Sequence, residues 1–88
     1  MIITNNQGGK MIELSTVLAD IAKSIVDHPD KVNVTEKIEG NEVFLTLNVA
    51  EEDMGMIIGR RGKIAKSIRT VMRTVAKLND KKITVEIK

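Results

Sequence analysis

The sequence holds no cysteine, tryptophan or tyrosine, and only one phenylalanine, one proline and one histidine among its 88 residues. Without cysteine there can be neither disulfides nor thiolate metal sites. With Phe44 as the only aromatic, modules that stack bases on aromatic platforms, such as the RRM and the OB-fold, are disfavoured. The lone histidine, His28, has no constellation of ligands or carboxylates around it in the sequence. No Ser/His/acid set, metal-ligand spacing or P-loop is present, so neither an enzyme nor a cofactor is expected. The longest apolar runs are too short to cross a bilayer, and the amino terminus lacks the basic-then-apolar pattern of a secretory signal. The expected location is the cytoplasm, with no membrane partner.

What is present fits one small globular domain: 42% hydrophobic and 30% charged residues. A chain this short buries only about 60–65% of its unfolded surface, so its core is thin. The net charge of +2 conceals a division. Residues 1–59 carry 4 basic and 10 acidic side chains, a balance of −6, whereas residues 60–88 carry 10 basic and 2 acidic, a balance of +8. The changeover falls at Arg60. Such asymmetry points to a polyanionic partner at the basic end, against the plain alternative of solvated helix faces.

Residues 1–10, with paired glycines and no periodicity, read as a flexible tail, and residues 11–88 as the domain. Met11 stands where the ordered pattern begins, as an initiator or as an internal methionine. Leu14, Val17, Leu18, Ile21, Ala22 and Ile25 follow the spacing of one helical face. Pro29 is expected to stop that helix, leaving His28 as a helix-end residue. Val32, Val34 and Ile38 then share one strand parity, broken by Glu36, which marks partial exposure or a bulge. Gly40-Asn41 suits a two-residue hairpin. Val43, Leu45, Leu47 and Val49 form the inward face of a second strand, and Ile83, Val85 and Ile87 that of a third.

Between these strands, Glu51-Glu52-Asp53 places carboxylates at a helix start, where the dipole favours them, with no partner base in view. A short apolar turn from Met54 to Ile58 leads into Gly59-Arg60-Arg61-Gly62. A long helix follows from about Lys63 to Leu78. Ile64, Ala65, Ile68, Val71, Met72, Val75 and Ala76 are assigned to its buried arc, and Lys66, Arg69, Arg73 and Lys77 to the opposite one. Met54, Met56 and Met72 are read as core filling, with a share in a protein interface as the alternative, and Phe44 as packed against a neighbour or an interface rather than RNA. The expected fold class is α+β in two layers, ordered αββααβ, with helices on one face of a three-stranded sheet.

Two glycines flanking two arginines make a tight joint between helices. Glycine lets a backbone ligand approach closely, the following helix start offers free N–H groups to an anion, and guanidinium groups match phosphate oxygens. Ile57-Ile58-Gly59-Arg60-Arg61-Gly62, with Ala65 and Ile68 at helical spacing, resembles the signature of KH domains. The element order is similar to their type II, prokaryotic arrangement. More narrowly, His28-Pro29-Asp30-Lys31-Val32 and the stretch from Asp53 to Val71 resemble the KhpA (YlqC-like) family of small bacterial RNA-binding proteins. The likeness covers residues 11–88. Ile64 stands where a small or polar residue is commoner, and the ten-residue leader is longer than usual.

The resemblance implies single-stranded RNA as ligand, with the backbone of about four nucleotides clamped by Gly59, Arg60, Arg61 and Gly62. Ile58 and Ala65 would line the apolar groove for the bases, and Lys63 and Lys66 would reach neighbouring phosphates. Arg69, Arg73 and Lys77 suit either RNA contact or an ordinary solvated face. The same resemblance implies a homodimer, pairing with a larger Jag (KhpB)-type protein, or both, and a chaperone-like or regulatory outcome. A protein-interaction or dimerisation module with little RNA binding of its own is the alternative.

Overall fold

The computed structural model describes residues 13–88, so the expected tail over residues 1–10, with Met11, lies outside the described residues. The first helix, α1, spans Leu14–Ile25 and buries Leu14, Leu18 and Ala22, with Val17, Ile21 and Ile25 partly covered beside them. It ends at Ile25, and Val26 is already extended while its N–H still reaches Ala22 O at 3.1 Å. His28 therefore stands beyond the helix, before a 3-10 turn at Pro29–Lys31, and is not the helix-end residue that its place before proline suggested.

Strand β1 (Asn33–Glu39) pairs antiparallel with β2 (Glu42–Asn48) in one unbroken register from Asn33↔Asn48 to Glu39↔Glu42. No bulge forms at Glu36; the charged residue is accommodated because β1 is an edge strand in the order β1-β2-β3. Gly40 takes φ +63 in the two-residue turn, the positive angle this connection requires. β2 is central, and its alternation is clean, with Val43, Leu45 and Leu47 buried and Phe44, Thr46 and Asn48 half-buried on the outer face. Phe44 sits there between its cross-strand neighbours Lys37 and Thr84.

A 3-10 turn at Glu51–Asp53 leads into α2 (Met54–Ile58), a second 3-10 turn at Arg60–Gly62 follows, and α3 runs over Lys63–Leu78. Strand β3 (Lys82–Ile87) closes the sheet parallel to β2. The element order is thus αββααβ, α+β with a mixed sheet, and the helices cover the odd-numbered face of β2. Among the described residues no helix is long and apolar enough to cross a membrane.

Leu18, Leu45, Leu47, Ile57 and Met72 are sealed at the centre, where α1, α2 and α3 meet the sheet. Three apolar assignments fail at the margins. Ile38 has the inward parity but is 58% exposed, because α1 lies over the Val32–Val34 end of β1 and leaves the hairpin end uncovered. Met56 is 39% exposed and Met54 only half-buried, so Met72 alone of the three acts as full core filling. Leu45→Ala is expected to cost about 2–5 kcal/mol, the usual range for emptying a sealed leucine site. Ile38→Ala should stay within about 0.5 kcal/mol, as for other surface changes. Urea midpoints of the two variants check both.

Candidate nucleic-acid interface

The joint between α2 and α3 is built by backbone angles that most residues avoid. Gly59 ends α2, its N–H reaching Gly55 O at 2.8 Å, and adopts φ 73, ψ 178. That region is essentially restricted to glycine. The space is restricted too: a methyl group there would overlap Ile64 Cγ1 and stand 2.8 Å from Ile64 Cβ and 3.0 Å from its amide nitrogen. The chain then makes one 3-10 turn, with Gly62 N–H bonded to Gly59 O at 3.2 Å and Lys63 N–H to Arg60 O. Arg61 (φ 54, ψ 28) and Gly62 (φ 73, ψ 14) are both left-handed. For arginine that conformation costs about 1–2 kcal/mol. Strain of this kind persists where a site demands it.

The turn stands clear of the domain body. Arg60, Arg61, Lys63 and Lys66 are exposed, and Gly59 and Gly62 are half-exposed. Among the described residues the N–H groups of Arg60 and Arg61 have no main-chain partner, and no added Cβ on Gly62 would meet an atom within 4 Å. The ion pairs among the described residues are His28–Asp53 and Lys37–Glu39, so none of these four cations is neutralised by a carboxylate. Beside the turn, Ile58 is 42% exposed and Ile64 38%, which gives the cationic bend an apolar border. Ala65 lies beneath, buried at 5% exposure. The turn and the first turns of α3 thus expose two guanidinium and two ammonium groups beside two N–H groups without main-chain partners, donor types suited to phosphate oxygens.

Helix α3 has four distinct sides. Ala65, Ile68, Met72 and Ala76 are buried, while Ile64 and Val71, assigned to the same arc from sequence, are exposed on one flank. Lys66, Arg69, Arg73 and Lys77 form the other flank and do not lie opposite the core. At about 100° per residue they stay within roughly 80° of arc and adjoin the buried side. Arg69 shows why: its Nε donates to the main-chain carbonyl of Val85 at 3.2 Å, which holds the stripe against β3. The side opposite the core instead carries Ser67, Thr70, Thr74 and the 80%-exposed Leu78.

A clasp that sequence reasoning missed sits at the entry of α2. Asp53 is 1% exposed, and its Oδ2 accepts the main-chain N–H of His28 at 2.9 Å and lies 3.0 Å from the His28 ring Nδ1. His28 therefore has a carboxylate beside it, and one of the three carboxylates at the helix start has a partner base. Glu51 and Glu52 are exposed, in the 3-10 turn that leads into α2. The pair ties the α1–β1 connection to the entry of α2. A separation of 25 residues leaves no periodic signal, and only the neighbouring Pro29, which marks a fixed turn, hinted at a structured site. The hydrogen bond from Asp53 and its negative charge hold the His28 ring above its ordinary value of 6.5, against burial, which lowers it; Glu52 and Asp27 also raise it.

Gly62→Ala should cost about 1–2 kcal/mol, the penalty of a left-handed alanine in open space. Gly59→Ala should cost more, because overlap with Ile64 adds to the angle; urea denaturation of both variants gives the order. For His28, a raised folded-state value means that the native protein holds the proton more tightly than the unfolded chain. Its stabilisation is complete below about pH 6.5 and is lost as the pH rises through the raised value. Urea midpoints across that window should fall in the parent protein and flatten in His28→Ala.

A family model described as KhpA/KhpB, KH domain, matches residues 15–87. The RNA-binding protein KhpA of Clostridium acetobutylicum is 47% identical over 74 residues, which is 84% of this chain and 99% of that protein. Its namesake in Clostridium perfringens is 49% identical over 67 residues, 76% of this chain and 89% of that one. In Listeria monocytogenes serovar 1/2a the figures are 42% over 74 residues, 84% and 97%. The fold is also similar to part of Era in its crystal structure with MgGDPNP and nucleotides 1506–1542 of 16S ribosomal RNA. That match has a TM-score of 0.62 and 15% identity, and it covers 93% of this chain but 35% of that one, a likeness of fold alone. A match over nearly all the described residues, with relatives covered almost end to end, places the chain in the KhpA/KhpB family of KH-domain proteins, which is not an enzyme family.

Proposed function

We propose that this protein binds single-stranded RNA in the cytoplasm by clamping the sugar-phosphate backbone in the Gly59–Gly62 bend. The observation that carries the reading is the exposed pair Arg60 and Arg61, on a turn whose two intervening N–H groups have no main-chain partner. Ile58 and Ile64 supply an apolar shelf for bases, and Ala65, buried behind them, contributes through the room its small side chain leaves. Lys63 and Lys66 extend the positive field along the first turns of α3. The relatives' printed name, RNA-binding protein, supports the same ligand class.

A KH footprint of about four nucleotides binds weakly alone, so avidity from a second domain would strengthen it. The exposed apolar flank of α3, with Val71 at 46% exposure, supports pairing with another KH-domain chain, either a second copy or a larger Jag (KhpB)-type protein. The proposed outcome is that of an RNA chaperone or post-transcriptional regulator.

The test replaces Arg60 and Arg61 with aspartate. Both are exposed and outside the core, so the double variant should keep its unfolding transition while losing RNA binding. Log affinity of the parent should fall with log salt at a slope of about −0.7 per phosphate neutralised. Unchanged affinity in the folded variant would assign the domain to protein interaction instead.

A further inference from the structure

Helix α2 has five residues and ends on the bend. So short a helix has no stability of its own, and its placement is set by what it touches. Of its side chains only Ile57 is sealed in the core; Met54 is half-buried, and Met56 and Ile58 are exposed. One buried side chain fixes where a short helix sits but leaves it free to rock about that point. The bend begins just past Ile57, so any rocking of α2 is carried into the Gly59–Gly62 turn.

The other end of α2 carries a second attachment. Asp53 stands at its N-cap, where a carboxylate ordinarily accepts N–H groups from the first turn of its own helix. Here it caps nothing. Its Oδ2 is bonded instead to the main-chain N–H of His28 at 2.9 Å and lies 3.0 Å from the ring Nδ1. His28 is itself held: Val26 before it is buried, Pro29 after it fixes the backbone, and Lys31 N–H returns to His28 O at 3.0 Å. A cap bonded to the helix's own N–H groups would steady α2 internally and leave its direction open. A bond to the α1–β1 connection fixes direction. Along α2 the clasp and the bend lie on opposite sides of Ile57, about 9 Å apart at 1.5 Å per residue.

Resting on the reading of the bend as an RNA clamp, we infer that His28 and Asp53 are positioning residues for RNA binding, whose hydrogen bonds hold α2 so that the bend keeps the arrangement that takes a phosphodiester strand. Neither residue touches the RNA. The ring makes the tie respond to pH. Asp53 favours its protonated form most, and Glu52 from the turn before α2 and Asp27 from its own connection add to this against burial. Asp30 and Lys31, in the turn that follows, carry opposite charges. A protonated ring bonds a carboxylate more strongly than a neutral one, so the tie weakens as the pH rises through the raised value. Phosphodiester, guanidinium and ammonium groups keep their charge over that range, and the α-amino group is the same in every variant.

The experiment compares the full chain with His28→Ala and His28→Asn; His28 is only half-buried, so neither change disturbs the core. In the RNA-free protein the amide NMR signals of Gly59 and Gly62 should move with pH at the midpoint of the His28 ring signal, and stay still in both variants. Below that midpoint, affinity for a labelled single-stranded RNA of random sequence should fall about 2- to 10-fold in His28→Ala, the shift that one net hydrogen bond gives a two-state equilibrium. Its salt slope should equal the parent's, because no phosphate contact is lost. His28→Asn keeps a donor near the Nδ1 position and does not titrate, so it should regain most of the affinity with a flat pH profile. Bend amides that ignore the ring, unchanged affinity in His28→Ala, or His28→Asn as weak as His28→Ala would each overturn the inference. A shallower salt slope in His28→Ala would also do so, by making His28 a phosphate contact. Failure of the clamp itself is read separately: Arg60→Asp with Arg61→Asp would then leave RNA affinity intact while the Gly59 and Gly62 signals still follow the ring.

Discussion

The close approach of Ile64 to the bare backbone of Gly59 is the constraint on which the bend depends. A side chain at residue 59 would overlap Ile64, and its backbone angles lie where only glycine is at ease. That contact fixes how α3 leaves α2. It also forces the next residues into a tight turn, so that Arg61 accepts a left-handed conformation and the N–H groups of Arg60 and Arg61 remain without main-chain partners. The isoleucine that looked out of place for a groove floor thus has a mechanical part: it packs under the bend that it borders.

The same joint separates charge. Ahead of it the chain is acidic, and its carboxylates lie on exposed positions of α1, the connections, β1 and the start of β2, apart from the buried Asp53. After it the chain is basic, and α3 carries Lys66, Arg69, Arg73 and Lys77 on the flank beside β3 while Ile64 and Val71 occupy the other. A helix in a two-layer domain has only one side against the sheet. The two flanks of α3 beside that side differ in chemistry, one cationic and the other apolar.

Asp53 is the one charged residue sealed in the described structure, and His28 satisfies it twice, through the main chain and through the ring. A buried carboxylate left alone would be costly, so the two residues stand or fall together. Their clasp holds the entry of α2 against the connection after α1.

Periodicity in the sequence determined much of this protein. The αββααβ order, the long helix over Lys63–Leu78, the clean alternation of β2 and the glycine-flanked arginines were all legible, because helical and strand spacing and positive-φ demands are local properties. Tertiary structure decided the rest. The spacing of Lys66, Arg69, Arg73 and Lys77 reveals a stripe but not which neighbour it faces, and only the position of β3 turned it beside the core rather than away from it. Ile38, Ile64 and Val71 have the right periodicity to be buried and are exposed, because an apolar side chain is covered only where another element reaches it. His28 and Asp53 meet across 25 residues through the packing of two connections, and no local pattern encodes such a meeting.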